Sequence, residues 1–223
     1  MLKSVLRYEV ILLFIMPVVF CQPAISNDKI NSIHAQDRKH YIILPNKIPD
    51  VPLVLEFFSF YCAHCYQFEQ NYNISKVIQS KLPEGVGIVK YHITSMGPLG
   101  RELTRAWAVA LIMGVEDKIE PLLFDAIQNK KTVRTAADIR MVFIDAGITG
   151  TDYDAAWDSF AVKELTARQL QAFTEFKVSG VPVMYINGQY QINSQGMDAT
   201  NVDSFILCYV ETVKKLVDRT IKH

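Results

Sequence analysis

Pro52-Leu-Val-Leu-Glu-Phe-Phe-Ser-Phe60 runs directly into Tyr61-Cys62-Ala63-His64-Cys65-Tyr66-Gln-Phe-Glu69, and this junction decides the fold. The first half is almost continuously apolar, the pattern of a strand buried on both faces, and we expect a strand over 51–60. The second half reads as a helix from about Cys62 to Ser80. Two thiols therefore stand at a strand-to-helix turn, where unpaired backbone N–H groups favour negative charge. One thiol of such a pair is expected to ionise readily and the other to close a disulfide with it.

C-x-x-C alone is shared by redox and metal sites. A structural zinc site needs four ligands. Cys62, Cys65 and His64 supply part of one, and the chain holds no second C-x-x-C and no H-x-x-H, so no metal is expected. A purely structural disulfide is disfavoured too, because entropic stabilisation falls with the size of the closed loop. The pair reads as redox-active.

Around this junction the elements alternate. Tyr41 to Leu44 is expected as a short strand, Pro83-Glu-Gly85 as a turn, and Gly87 to His92 as a third strand. The order is β-β-α-β, an α/β class, with the dithiol at the C-terminal end of a strand, where such sheets place their sites. The character then changes. Leu103, Ala106, Trp107, Ala110 and Leu111 recur at helical spacing, as do Ile119, Leu122, Leu123, Ala126 and Ile127. Thr135 with Asp138 reads as a cap, Gly147 as a stop, and Thr151 with Asp154 as the cap of a helix carrying Tyr153, Trp157 and Phe160. The stretch 95–170 thus looks like an inserted all-helical domain. Pro182-Val-Met-Tyr-Ile186, Asn187-Gly188 and Gln189-Tyr-Gln-Ile192 then form a hairpin with the favoured type I′ turn pair. A last helix carries Val202, Phe205, Ile206, Tyr209, Val213 and Leu216 on one stripe, with Cys208 about 120° from its centre, an incidental free thiol.

The N-terminus is set apart. Lys3 and Arg7 precede an apolar run from Val10 to Phe20 that is too short to span a bilayer comfortably. Ala24-Ile25-Ser26 fits a cleavage site, with Ala35 as a second position and an uncleaved anchor as the alternative. The expected division is a signal peptide at 1–26, a first domain part at 27–94, the helical insertion at 95–170 and a second domain part at 171–223. Export implies an oxidising compartment. Cys21, preceded by Phe20, does not sit in a lipobox, so the exported chain keeps Cys62, Cys65 and Cys208. With 223 residues, half of them hydrophobic, a sizeable core can be buried, and a net charge of zero argues against general nucleic-acid or membrane-surface binding.

Cys62, at the helix start, is the expected nucleophile, Cys65 its resolving partner and His64 a source of positive charge for the thiolate. Val181-Pro182 enters a strand where a cis bond would leave Val181 free to pair with an extended peptide. Glu56 interrupts an apolar strand and needs a buried partner, for which Lys90 on the next strand is the candidate. Such a pair beneath the dithiol would shuttle a proton or tune the thiolate, and Glu69, one helix turn past Cys65, is a weaker candidate for the same role.

The run from Leu55 to Glu69 closely resembles the active-site segment of the DsbA family of bacterial periplasmic thiol:disulfide oxidoreductases. Lys90-Tyr-His92, Ala106-Trp-Ala-Val-Ala110, Gly114-Val-Glu-Asp-Lys118, Tyr153-Asp-Ala-Ala-Trp157, Gly180-Val-Pro182 and Gln195-Gly-Met-Asp198 extend the similarity over about Tyr41 to Lys215. The resemblance implies a thioredoxin fold interrupted by a helical domain. It implies a periplasmic enzyme, without metal or organic cofactor, that donates a Cys62–Cys65 disulfide to unfolded exported polypeptides with free cysteines. It implies reoxidation by a quinone-linked membrane oxidase like DsbB. It assigns Cys62 as the attacked sulfur, His64 as thiolate stabiliser, Pro182 as a cis-proline and Glu56–Lys90 as a buried acid–base pair. The chain departs from the family at Ala63, where proline is usual, which bears on oxidising strength and not on reaction type. An isomerase or reductase is one alternative; isomerases of this kind carry a dimerisation segment, and a monomer is expected here. A peptide-binding chaperone with a secondary dithiol is the other, and it would keep its activity without the thiols.

Overall fold

The computed structural model describes residues 39–197 and 200–222; the expected signal peptide lies outside them. Strand Val54–Phe58 (β2) organises the sheet, with every side chain buried. Ile88–His92 (β3) pairs with it in parallel and Val183–Ile186 (β4) antiparallel. Tyr190–Ile192 (β5) follows β4 through Asn187 and Gly188, both at positive φ (53° and 62°), as the expected type I′ turn requires. A Cβ on Gly188 would fall 2.0 Å from the carbonyl oxygen of Ile48, so only glycine fits. Tyr41–Ile43 (β1) closes one edge, giving the order β1-β5-β4-β2-β3. β2 is shorter than the expected 51–60 because its ladder ends with its partners, at Phe58 opposite His92 and Phe57 opposite Val183.

The expected helix from Cys62 to Ser80 is broken. Ala63–Tyr66 (α1) gives way to a π-helical turn, Gln67–Asn71, then to Asn73 at φ 51°, and only then to Ile74–Gln79 (α2). Asparagine is among the few residues that enter the left-handed region readily.

Between β3 and β4 run Gly100–Met113 (α3), Glu116–Phe124 (α4) with a π-helical extension Asp125–Asn129, Ala136–Asp145 (α5), Gly150–Asp158 (α6) and Phe160–Glu175 (α7). The capping box of Thr135 and Asp138 is present on α5. On α6 the cap is Thr149 with Asp152, not Thr151 with Asp154. The same spacing occurs twice there, and Asp154 is instead taken by Arg140, two nitrogens at 2.8 Å. α7 continues through position 170, where the helical insertion was expected to end.

Val202–Ile221 (α8) packs Tyr209, Val210, Val213, Leu216 and Val217 against one side of the sheet with Val54, Met184 and Ile186. Val202 itself is exposed. Because strand side chains alternate, Leu55 and Phe57 face the other way, onto Tyr91, Phe176 and Tyr185. A third cluster joins the helices to the dithiol. Trp107 and Phe124 pack on Phe58 and Phe60 with ring centroids 4.9–6.0 Å apart, and Cys62 and Cys65 belong to the same cluster. Each buried phenylalanine contributes about 1.5–3 kcal/mol by area alone.

Candidate active site

Cys62 is the N-cap of α1. The backbone N–H of Cys65 donates to its sulfur at 3.2 Å, and the sulfur lies 3.3 Å from the carbonyl oxygen of Val181. The Val181–Pro182 bond is cis, and the turn it forms brings that carbonyl against the helix end. Cys62 is less open than its place at a helix start suggested, at 6% exposure, while Cys65 is fully covered. Both are free thiols.

The two sulfurs are electrostatically opposite. The Cys65 thiol donating to Cys62 is the largest influence holding the latter down to about 6. Burial opposes it, and the backbone N–H groups of Cys65 and His64 and the His64 charge assist. Cys65 is pushed far up, first by burial, then by Cys62 and by the charge of Glu56. His64 is exposed, so it contributes from the solvent side.

The loop before Cys62 is clamped by the end of β3 and by the helices packed on it. Phe60 N–H donates to His92 Nε2 at 3.2 Å, which leaves Nδ1 to carry the ring hydrogen toward Thr104 Oγ1 at 2.9 Å. Burial lowers His92 to about 3, so it stays neutral. Gln128 donates to the Phe60 carbonyl at 2.7 Å from the π-helical end of α4. The sequence reading missed both residues; the repeated apolar spacing around Gln128 marks it only as a gap in a helix face.

Glu56 is buried in β2 opposite Lys90, as expected, but the pair is a long one. Lys90 Nζ lies 4.0 Å from Glu56, against 2.7 Å from Glu69 and 2.6 Å from Glu120. Glu69, the weaker candidate, is the closer partner; it lies four residues past the buried Cys65, on the same side of the helical segment. Glu120 was missed; its place beside Pro121 on α4 gives no sign of burial. Ser75 Oγ bridges Glu56 and Glu69 at 2.9 and 2.6 Å. Burial raises the Glu56 carboxyl well above the usual range, with Lys90 opposing. Burial also works to strip the proton from Lys90, but the charges of Glu56, Glu120 and Glu69 prevail and hold it above the ordinary lysine value.

A groove of about 670 Å³ opens beside the dithiol, walled by His64, Phe68, Tyr72, Pro182, Phe205 and Tyr209. Cys208 lies elsewhere. It is half-buried against the α8 core instead of standing clear of it, and its sulfur is 3.6 Å from a ring nitrogen of His40.

Residues 53–206 match the DSBA-like thioredoxin domain family. The thiol:disulfide interchange protein DsbA of Salmonella typhimurium is 55% identical over 183 residues, 82% of this chain and 88% of that protein. Its Escherichia coli counterpart is 52% identical over 185 residues, 82% of this chain and 89% of that protein. Among solved structures, Proteus mirabilis DsbA with a non-covalently bound peptide superposes with a TM-score of 0.78 at 41% identity, covering 80% of this chain and 96% of that one. With the family matched over residues 53–206 and DsbA proteins more than half identical over most of its length, the chain belongs to the DsbA family of thiol:disulfide oxidoreductases.

Proposed function

We propose that this oxidoreductase works in the periplasm, donating a Cys62–Cys65 disulfide to newly exported proteins whose cysteines are still free. The asymmetry of the two thiols carries the reading: a low, marginally reachable Cys62 against a high, sealed Cys65. In the oxidised protein a substrate thiolate attacks Cys62 Sγ. A substrate–Cys62 bond forms, the Cys62–Cys65 bond breaks, and the electron pair leaves on Cys65. So basic a sulfur is a poor leaving group unless it is protonated as it departs. Glu56, a buried carboxyl raised above the usual range and linked electrostatically to Cys65, is the acid for that task in this reading. A second substrate thiolate then attacks the substrate sulfur and expels Cys62, which leaves readily as a thiolate. The substrate loses two electrons and two protons; the enzyme takes both electrons and one proton, which ends on Cys65 by way of Glu56, while Cys62 stays a thiolate and the second proton goes to solvent.

The groove beside Pro182 takes the substrate chain in this reading, with Val181 as its backbone contact, and the peptide held by the Proteus mirabilis relative supports that use. The reduced enzyme, acting as a monomer, passes its electrons to a quinone-linked membrane oxidase like DsbB. The division at 95–170 belongs to the same proposal: the helical part supplies His92's partner Thr104 and Gln128, which hold the loop before Cys62.

Trapping tests the roles. Cys65→Ser is expected to accumulate substrates as mixed disulfides on Cys62, visible on non-reducing gels of exported proteins. Cys62→Ser is expected to accumulate none. Equal trapping by both variants would overturn the assignment.

A further inference from the structure

The buried cluster holds more carboxylates than the acid–base pair requires. Lys90 Nζ contacts Glu69 and Glu120 at 2.7 and 2.6 Å, and Glu56 is left at 4.0 Å. One ammonium cannot neutralise three carboxylates, and all four side chains are 1–13% exposed, too buried for solvent to do so. Ser75 adds a second constraint. Its hydroxyl has one hydrogen yet lies within hydrogen-bond distance of both Glu56 and Glu69, so one of these two carboxyls carries a proton of its own. Glu69 is ion-paired, which leaves Glu56. Among the described residues the other Glu56 oxygen, Oε1, is buried without a partner, as an ionised carboxylate would not be left.

The Lys90 backbone is held, and its ammonium is free only to choose among the carboxylates around it. Its own carbonyl accepts from Trp107 Nε1 at 2.7 Å, and its ammonium sits 5.6 Å over the Phe58 ring. What decides between Glu56 and the far side is the second carboxylate there, and that one comes from α4. We propose that Glu120 is a positioning residue for the dithiol chemistry: it anchors Lys90 away from Glu56, so that Glu56 remains the protonated acid that Cys65 needs as it leaves. This rests on the disulfide-donor reading above. The groups facing Glu56 are Lys90 from β3, Glu69 from the π-helical turn, Ser75 from α2, Cys65 from α1, Tyr209 from α8 and Glu120 itself. Of these, Glu120 is the one whose removal frees the cation without altering the dithiol, the serine bridge or the helix that bears Cys65.

The test follows the Glu56 carboxyl by NMR in the reduced protein. In Glu120→Gln, Lys90 moves toward Glu56 and the Glu56 titration is expected to fall by about 1–3 units. Glu120→Asp, with its charge on a shorter stem, is expected to shift it less and in the same direction, and it serves if the glutamine variant folds poorly. The second readout is the pH profile of a single disulfide transfer to a dithiol peptide. Its alkaline limb should move down with the Glu56 titration in Glu120→Gln and should not respond to Glu120→Gln in a Glu56→Gln background. An unmoved Glu56 titration in both Glu120 variants, or an equal change of profile with and without Glu56, would overturn the proposal. A wild-type protein unable to transfer its disulfide would strike the functional reading instead, and the carboxyl titration would still be measurable.

Discussion

Cys62 and Cys65 differ in nothing but position, and position sets their chemistry. Cys62 receives hydrogen bonds from the helix start and from Cys65, whereas Cys65 is sealed in the core. The order of influences on Cys62 makes a prediction. The Cys65 thiol leads and the His64 charge comes last, so Cys65→Ala should raise the Cys62 titration more than His64→Ser, which should raise it by less than about one unit. Thiolate absorbance of the reduced variants against pH measures both, and a larger effect from His64→Ser would reverse the ranking. Cys62 in the wild type should titrate near 6 and not near the free-thiol value of about 8.5. At this scale the sequence is legible where chemistry is local. C-x-x-C at a strand-to-helix turn already sets the roles of the thiols. It is illegible where a group depends on a distant element: nothing near Glu120 shows that it reaches Lys90, thirty positions earlier in the chain.

At the scale of elements, α1 matters through its first turn. Ala63 is its first helical residue and is exposed, and proline suits that place because its fixed φ is helical and the missing N–H has no partner within the helix. Ala63→Pro should therefore fold normally, with a stability change of at most about 1 kcal/mol, and shift only the redox balance. Denaturant melts with a glutathione redox titration check it; loss of the fold would mean that Ala63 lies outside the first turn. The strands and most helices announce themselves through period and turn residues, as Asn187-Gly188 does for the β4–β5 hairpin. The break after α1 does not, because a π-helical turn keeps a helix-like apolar pattern while displacing the residues that follow. Nor can spacing choose between Thr149 and Thr151 as cap, since the decision comes from Arg140 on the neighbouring α5.

For the whole molecule, the low Cys62 titration couples redox state to stability. Folding stabilises the Cys62 thiolate, and that stabilisation disappears when the sulfur enters a disulfide, so the reduced protein should be the more stable form. The opposing effect is small, because a disulfide between residues three apart closes a very short loop and restricts the unfolded chain little. The pH dependence has a definite sign. Cys62 is depressed from about 8.5 in the unfolded chain to about 6 in the fold, so the reduced form binds fewer protons than its unfolded state in that interval. Its advantage over the oxidised form should be full above about pH 8.5, decline as pH falls, and be lost on passing through about 6. Parallel denaturant melts of the two forms across this range measure the gap directly. A more stable oxidised form at neutral pH would contradict the thiolate account. A gap independent of pH would mean that the difference lies in packing around Phe60 and Trp107 and not in the charge on Cys62.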